Sequence, residues 1–368
     1  MKKKESILII LVAGIGDLVL SSKSLKAIRN GFPEGIIHLL VSTEGFELAE
    51  NYKFVDKVWT FPIRELRKRK TDLWDIFKIA IRLRKEKFSM AVNLYKIGSV
   101  WGALKMGVFM LMVKPRVKIG HSDKGFGLFL NKKAPAETFS NRHFCDAMMD
   151  IALLAGGRDS HSDLEIYWNK VAEEKWANLF SDSDGSQRFI VGINPGGDRK
   201  NRRWAPEKFA AVADALIDRF STRIFIFGGP GEETTAKKIQ MLMRGVSVDL
   251  AGKLSLNDLA FVLSKLNLFV TNDSGPMHIA AAVETPLVAI FGPENPVLFG
   301  PYASPRAYRV VHKMDIDCRP CRKKACSLPS CLDSISVHDV LEECVELLTE
   351  CMNGVNGVNG VKSTIDPC

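Results

Sequence analysis

With 368 residues, the chain is longer than one ordinary folding domain, which predicts two domains. Its 46% hydrophobic and 25% charged residues are typical of a soluble globular protein and exclude a disordered chain. The formal net charge of +9 favours anionic partners, and we expect lipid or substrate phosphates rather than nucleic acid.

The first residues, MKKKESILIILVAGIGDLVL, have the basic head and apolar run of a signal peptide. They lack a small-x-small cleavage site and continue into a pattern with the spacing of a helix that follows a strand. We therefore predict a cytoplasmic protein. The first half is expected to alternate strands at Ile7–Val12, Ile36–Val41 and Met90–Leu94 with a helix through Ser22–Asn30.

The loop after the first predicted strand is Ala13-Gly14-Ile15-Gly16-Asp17. A dinucleotide fingerprint would require a third glycine where Val19 stands, so that interpretation is weak. Asp17 is the carboxylate that this loop presents at a helix N-terminus. Two roles stay open for it from the residues alone: a helix cap and a general base.

Residues 64–87 contain ten basic and four acidic residues, interleaved with apolar ones. This pattern predicts a basic amphipathic helix or helix pair, which would attract anionic lipid headgroups or an anionic substrate; a solvated helix face is the alternative. The apolar run Met106–Val113 is too short to cross a bilayer, and it fits either a core helix or an interfacial helix.

After a predicted helix at Val171–Phe180 and the polar linker SDSDGSQ, the alternation of strands and helices begins again. Strands are expected at Phe189–Ile193 and Ile224–Phe227, with a helix at Pro206–Phe220 between them. Such alternation predicts parallel sheets. We therefore expect an α/β protein with two Rossmann-like domains, 1–185 and 186–352, facing a central cleft, and a flexible tail at 353–368.

Three loops of the second domain carry groups suited to a nucleotide diphosphate. Gly196 and Gly197 let the backbone approach a ligand, and a cluster of cations follows them: Arg199, Lys200, Arg202 and Arg203. Glu232 and Glu233 stand after the next strand, where a carboxylate could accept hydrogen bonds from ribose hydroxyls.

The third of these loops lies within Leu268–Pro296, LFVTNDSGPMHIAAAVETPLVAIFGPENP, which predicts strand, polar turn, helix and strand. The turn places Asp273, Ser274 and Gly275 before Pro276, which suits a first helical position. The backbone donors of that helix start are expected to bind phosphate, with His278 on the first turn.

Four cysteines lie close together in sequence: Cys318, Cys321, Cys326 and Cys331. This spacing could hold a structural metal such as Zn²⁺ or an iron–sulfur cluster, although free or redox-active thiols are the favoured interpretation.

The combined motifs resemble the heptosyltransferase family, glycosyltransferase family 9. The matching segments are GIGDLVLSSKSLKAIRNGFP, NPGG…RRWAPEKFAAVADAL, FIFGGPGEE and NDSGPMHIAAAVETPLVAIFGPENP, and they span most of Ile7–Val345. The resemblance implies a GT-B architecture, an ADP-heptose donor, and an inverting transfer to a lipid-linked anionic glycan of the lipopolysaccharide inner core. It also implies a peripheral position on the cytoplasmic membrane face.

The same resemblance assigns roles to individual residues. It implies that Asp17 is the catalytic base, that Asp273 and His278 belong to the donor-binding loop, and that Glu232 or Glu233 contacts ribose. The family commonly has Lys-Arg-Trp where this chain has Arg202-Arg203-Trp204, so an arginine replaces the usual diphosphate contact. No cofactor is expected to be required beyond the donor substrate. The alternatives are an enzyme of another sugar-nucleotide specificity, an epimerase, or a non-catalytic nucleotide-binding module.

Overall fold

The computed structural model describes residues 4–63, 73–159, 161, 163–181, 189–313, 315–321, 326 and 330–353. The chain divides into two compact units: Met1–Asn169 with Val297–Phe299, and Lys170–Pro296 with Gly300–Cys368. This division falls earlier than the predicted boundary at residue 185. The reason is that the helix starting at Lys170 packs in the second unit, where Lys175 Nζ lies 2.8 Å from Asp258 Oδ2.

The first unit is built on a parallel sheet, with six strands among its described residues in the order β3-β2-β1-β4-β5-β6. The strands are β1 (Ser6–Leu11), β2 (Ile36–Ser42), β3 (Lys57–Phe61), β4 (Met90–Asn93), β5 (Val117–His121) and β6 (Lys132–Ala134). The helices are α1 (Ile15–Gly31), α2 (Phe46–Ala49), α3 (Leu73–Lys85), α4 (Val100–Val113) and α5 (Phe144–Leu154), with 3-10 turns at Thr43–Gly45 and Ala136–Phe139.

The apolar run near the start of the chain is the buried central strand β1 of this sheet. Its neighbours β2 and β4 both pair with it in parallel, so it is hydrogen-bonded on both edges. The run Met106–Val113 belongs to α4, whose buried side is formed by Phe109, Met110 and Val113. Among the described residues, no helix has the length and apolar character needed to cross a membrane.

The second unit repeats the architecture, with six parallel strands in its described part in the order β12-β11-β10-β7-β8-β9. They are β7 (Ile190–Asn194), β8 (Arg223–Ile226), β9 (Ser247–Asp249), β10 (Leu268–Asn272), β11 (Leu287–Ile290) and β12 (Tyr308–Val311). The helices are α6 (Lys170–Trp176), α7 (Pro206–Phe220), α8 (Glu233–Leu242), α9 (Leu256–Ser264), α10 (Gly275–Ala282), α12 (Ser330–Asp333) and α13 (Val337–Met352), with 3-10 turns at Ala177–Phe180 and Lys200–Arg202. The short helix α11 (Pro296–Phe299) begins in the second unit and continues in Val297–Phe299, which belong to the first.

Local signals explain several of these bounds. Helix α7 has its predicted limits because Pro206 suits the first turn and Ser221, at φ 53°, ends the helix in the left-handed region. Helix α9 starts with a capping box, in which Asp258 N donates to Ser255 Oγ over 3.1 Å. Most of the polar linker and nearly all of the tail lie outside the described residues.

Candidate functional site

Four loops meet at the carboxyl edge of the second sheet. They follow β7, β8, β10 and β11, and because these strands are parallel the loops emerge on the same side. The first strand of the unit, β7, lies between β8 and β10, so the winding direction of the sheet changes there. Open α/β sheets bind ligands at such a switch point, which makes this edge the candidate site.

Arg202 stands at the centre of this edge. Its Nη2 donates to Glu294 Oε1 from the loop after β11, and its Nη1 lies 3.4 Å from Asp273 Oδ2, at the end of β10. Asp198 Oδ1, from the same loop as Arg202, is 3.6 Å from Nη1. One guanidinium is thus surrounded by carboxylates of three loops, of which Asp273 is almost fully buried.

This charge arrangement shifts the pKa values of both partners upward. Burial alone would lower the pKa of Arg202, but Asp273 and Glu294 outweigh it and hold that pKa above its usual value. Burial raises the pKa of Asp273 to about 6, since attraction to Arg202 compensates incompletely and Glu294 and Asp198 add repulsion. Attraction to Arg202 therefore does not fully offset the burial of Asp273 and the repulsion from Glu294 and Asp198.

Arg199 converges on the same acceptor as Arg202. Its Nη1 lies 3.5 Å from Glu294 Oε1, and its Nε lies 3.7 Å from Asp198 Oδ2. Two guanidinium groups therefore point at one carboxylate oxygen. An arrangement of this kind also suits an oxygen of a phosphate, because planar guanidinium groups bind both anions through similar forks. Lys200, between the two arginines in sequence, is exposed.

Glu232 links the loop after β8 to the loop after β7. Its Oε1 accepts from Gly197 N over 3.0 Å, and its Oε2 accepts from Gly229 N over 2.8 Å. Arg203 completes the link, since its Nη2 lies 3.3 Å from Glu232 Oε1 and its Nε donates to Gly197 O over 2.8 Å. A Cβ at Gly196 would lie 2.2 Å from Glu232 Oε2, so a larger residue there would displace this carboxylate from its present position.

Glu233 has a different and more local role. Both of its carboxylate oxygens accept from Gly231 N, over 3.1 and 2.9 Å, at the start of α8. Hydrogen bonds from its own backbone N–H and from Gly231 lower the pKa of Glu233. Of the two acids that the sequence offered as ribose contacts, Glu232 is therefore the one that joins two loops of the site.

Two asparagines hold the loop after β7 in place. Asn272 Nδ2 donates to Pro195 O over 2.9 Å and to Gly196 O over 3.1 Å, and its Oδ1 accepts from Trp204 N over 3.1 Å. Asn194 Nδ2 donates to Ser274 Oγ over 3.1 Å. Neither asparagine, nor Glu294, was identified from sequence patterns. The signal for the two asparagines is a polar side chain at the end of an apolar strand.

Helix α10 begins at the predicted place, after the turn of Asp273 and Ser274. Within the described part of the chain, the Ser274 side chain does not cap the helix, and instead accepts from Asn194. Gly275 and Pro276 are half-buried and His278 is buried. The first turn thus lies next to Arg202 through Asp273, and phosphate binding at this helix start stays a prediction.

Asp17, the predicted base, lies in the first unit on the first turn of α1. Its Oδ2 accepts from Gly14 N over 3.0 Å, so the Asp17 carboxylate satisfies the backbone donor of the N-cap residue at the helix start. Asp17 therefore has the role of a helix cap, and its role as a general base stays a prediction.

The cysteine segment lies behind Glu294. Cys321 N donates to Pro293 O over 2.8 Å, and Arg319 Nη2 donates to Glu294 O over 2.9 Å. These two hydrogen bonds hold the loop after β11 in position. Cys318 and Cys326 are exposed, whereas Cys331 is buried, and burial raises the pKa of the Cys331 thiol. No group of three or more His, Cys, Asp or Glu side chains among the described residues has a metal-binding arrangement.

The two parallel-sheet α/β units, with cations and acids at the strand-order switch of the second, define a doubly wound α/β protein. The family model described as "Glycosyltransferase family 9 (heptosyltransferase)" matches residues 76–332. The chain belongs to glycosyltransferase family 9, which confirms the predicted family.

Relatives and solved structures agree with this membership. The lipooligosaccharide heptosyltransferase 2 of Campylobacter jejuni subsp. jejuni serotype O:6 is 34% identical over 167 residues. That alignment covers 44% of this chain and 52% of the relative, so the chain spans about half the length of the relative that it matches.

Two solved structures share the fold. A glycosyl transferase family 9 protein from Veillonella parvula superposes with a TM-score of 0.77 at 23% identity, covering 95% of this chain and 99% of that chain. The E. coli ADP-heptose lps heptosyltransferase II superposes with a TM-score of 0.74 at 22% identity, covering 94% and 99%. The predicted fold class, GT-B with two parallel-sheet α/β domains, is confirmed.

Proposed function

We propose that this protein is an inverting glycosyltransferase that moves a heptose from ADP-heptose to the inner core of lipopolysaccharide or a related surface glycan. The observation that carries the proposal is the convergence of Arg199 and Arg202 on one oxygen of Glu294 at the switch point of the second sheet. A diphosphate oxygen could replace that carboxylate oxygen and meet both guanidinium groups. The E. coli protein of similar fold is an ADP-heptose heptosyltransferase, which supports the choice of donor.

In the proposed reaction, the acceptor hydroxyl oxygen attacks the anomeric carbon from the face opposite ADP. The new carbon–oxygen bond forms as the bond to the diphosphate breaks, and the electron pair leaves with ADP. Asp17 takes the hydroxyl proton. Arg202, helped by Arg199, Lys200 or Arg203 and by the helix start at Ser274, stabilises the charge that builds on the diphosphate. Each well-placed donor of this kind contributes roughly 3–4 kcal/mol.

Such a cluster of cations makes a metal ion unnecessary for donor binding in this proposal. A structural metal at Cys318, Cys321, Cys326 and Cys331 stays a separate prediction, which the metal content of the purified protein would test.

The acceptor of this reaction is anionic and lipid-linked, which implies work at a membrane surface. We place the protein at the cytoplasmic face of the inner membrane as a peripheral protein, with the basic residues of 64–87 meeting lipid or acceptor phosphates. Of that stretch, α3 lies within the described residues, and the exposed side chains of Arg82, Arg84 and Lys85 support this role.

Calorimetric binding of ADP, UDP, GDP and NAD to the purified protein tests the donor assignment. We expect selective binding of ADP, because the predicted donor is ADP-linked. Arg202→Ala should weaken it roughly 10–100-fold, the value of one or two charge-assisted hydrogen bonds. Arg202→Lys should weaken it less, because the charge remains while the planar fork is lost.

Arg244→Ala is the matched control, since Arg244 is largely exposed and pairs with Asp218 rather than with the site. Thermal unfolding of each variant separates lost binding from lost folding. A preference for UDP would favour another sugar transfer or an epimerase, and a protein that binds none of the four nucleotides would contradict the proposal.

A further inference from the structure

Helix α4 exposes an apolar stripe on the outside of the first unit. Trp101, Leu104, Val108 and Leu111 are between 48% and 70% exposed. Their spacing of three and four residues places them on one side of the helix, whereas the buried Phe109, Met110 and Val113 lie on the other. A helix that is apolar on all sides is normally enclosed by protein or lipid. We therefore expect the exposed side of α4 to be covered by protein or lipid as well.

The neighbouring helix α3 extends the same surface. It packs against α4, and the two helices bury Ala80, Leu83 and Phe109 in one core on the same face of the sheet. On its outer side, Trp74, Phe77 and Ile81 repeat the spacing of three and four residues and are exposed. The rings of Trp74 and Phe77 stack with their centroids 5.1 Å apart.

A turn beside α4 adds one more apolar group. Phe129 packs against the position of Gly107 in α4, where a Cβ would lie 3.2 Å from its ring. The preceding residue, Leu128, is 82% exposed. We call the exposed apolar side chains of this region the α3–α4 face: Trp74, Phe77, Ile81, Trp101, Leu104, Val108, Leu111 and Leu128.

Basic residues accompany the α3–α4 face. Lys78, Arg82, Arg84 and Lys85 are exposed on α3, Lys105 is exposed on α4, and Lys114 follows at its end. The acid on α3, Asp75, lies 3.2 Å from Lys78 Nζ and is compensated by it. Exposed apolar groups with tryptophans and a basic surround are typical of surfaces that enter the headgroup region of anionic membranes. A second copy of the chain is a less suitable occupant, since two such faces would bring like charges together.

We propose that the α3–α4 face inserts its apolar side chains into the interfacial region of an anionic lipid bilayer. The proposal rests on the membrane association in the proposed function, and it adds apolar contacts and a second helix to the basic residues of α3. It concerns binding to lipid alone, so its test does not require sugar transfer. The protein would lie on the bilayer and not span it, in keeping with the lengths of α3 and α4.

The test is flotation of the full-length protein with vesicles of phosphatidylglycerol and phosphatidylethanolamine, compared with phosphatidylcholine alone. We expect binding to the anionic vesicles, and at least a tenfold loss of affinity in the double variant Leu104→Ser, Leu111→Ser. The matched control is Met241→Ser, Val246→Ser, which changes two side chains of the second unit that are 87% and 90% exposed. The control variant should bind like the unchanged protein.

A second measurement reports insertion directly. Brominated lipids quench tryptophan fluorescence at short range, and we expect quenching of the bound protein that Trp101→Phe reduces. ADP calorimetry and thermal unfolding of each variant verify that the second unit and the fold are unchanged.

Three outcomes would overturn the inference. Salt-sensitive vesicle binding that Leu104→Ser, Leu111→Ser leaves unaltered would mean purely electrostatic contact. Self-association in light scattering, removed by the same variant and without vesicle binding, would make this face an interface between copies. Absence of vesicle binding with ADP binding intact would end the inference, while the proposed donor chemistry would stand.

Discussion

The loop after β1 and the loop after β7 occupy equivalent places, since both sheets have their first strand between the second and the fourth. The first loop presents one carboxylate, Asp17, and the nearby strand ends carry the neutral side chains Ser42 and Asn93. The second loop carries three arginines that contact acids from its own and from other loops. The same winding therefore supports two different electrostatic environments.

The difference lies in where each charged group finds its partner. Asp17 accepts a hydrogen bond from its own loop, three residues away. Arg202, after β7, and Glu294, after β11, are 92 residues apart in sequence and meet because β7, β10 and β11 are successive strands of the sheet. A sheet edge thus fixes where a side chain stands, whereas the partners of that side chain determine its chemistry.

The largest effect is expected at the loop after β1, from Asp17→Asn. Turnover should fall by roughly 10²–10⁴-fold, the usual contribution of a general base. ADP affinity should be unchanged, because the variant lies outside the unit that carries the arginines. An asparagine oxygen can still accept from Gly14 N, so the helix start should survive. Product formation from ADP-heptose and acceptor, with calorimetry for ADP, gives both quantities.

Asp339→Asn is a suitable control for Asp17→Asn, since Asp339 holds the same capping-box position at the start of α13. It should leave turnover unchanged. Near-normal turnover in Asp17→Asn with both substrates bound would show that Asp17 is not the base, and would leave it a helix cap.

The next largest effect is expected at the loops of the second sheet, from Asp273→Asn. The pKa of Asp273 is about 6 in the folded protein against an ordinary value of 3.8, so protonated Asp273 favours folding. This stabilisation is complete below about pH 4 and is lost as the pH rises through 6. Near pH 7.5 the ionised carboxylate costs about 3 kcal/mol, which Asp273→Asn should recover.

Urea unfolding at pH 7.5 and near pH 4 measures that gain, which should shrink at the lower pH. Asp258→Asn gives the opposite sign: burial opposes ionisation of Asp258, but Lys175 and the Ser255 N–H outweigh it and lower its pKa. That variant should be destabilised at neutral pH, by an amount that diminishes in acid. If the Asp273→Asn variant were no more stable than the unchanged protein at pH 7.5, the ionised Asp273 carboxylate would not destabilise the fold, and this prediction would be wrong.

The smallest effect separates two adjacent acids, through Glu232→Gln and Glu233→Gln. Glu232→Gln replaces the carboxylate that accepts hydrogen bonds from two backbone N–H groups with an amide. The variant should bind ADP about tenfold more weakly, which corresponds to about 1.4 kcal/mol. Glu233→Gln alters an exposed local contact and should change ADP affinity less than twofold. If the two variants reduced ADP affinity equally in calorimetry, the contact of Glu232 with both loops would have no particular importance for ADP binding.

Sequence patterns were sufficient for seven of the strands in the described residues: β1, β2, β4, β7, β8, β10 and β11. The limits of α7 followed from Pro206, and the apolar runs of β7, β10 and β11 indicated parallel strands. Strands β3, β5, β6, β9 and β12 were missed because each contains exposed or partly buried side chains, which weakens the apolar pattern.

Within the candidate site, local motifs identified the arginines and the turn at Asp273 but not Glu294. Glu294 stands in the turn after β11, and its importance depends on which strands are neighbours, which no stretch of residues encodes locally. For the same reason the sequence could not choose between Glu232 and Glu233. That choice depends on which carboxylate reaches Gly197 across two loops.

The hydrogen bond from Arg319 to the backbone oxygen of Glu294 affects how the turn after β11 could be grafted onto a relative. A relative that received only the Gly292–Asn295 turn of this chain would lack the contacts that Arg319 and Cys321 make to the backbone of the turn from more than twenty residues downstream. The transferable unit is therefore discontinuous, and it comprises the turn together with Arg319 and Cys321. A graft of this turn would have to move both pieces together.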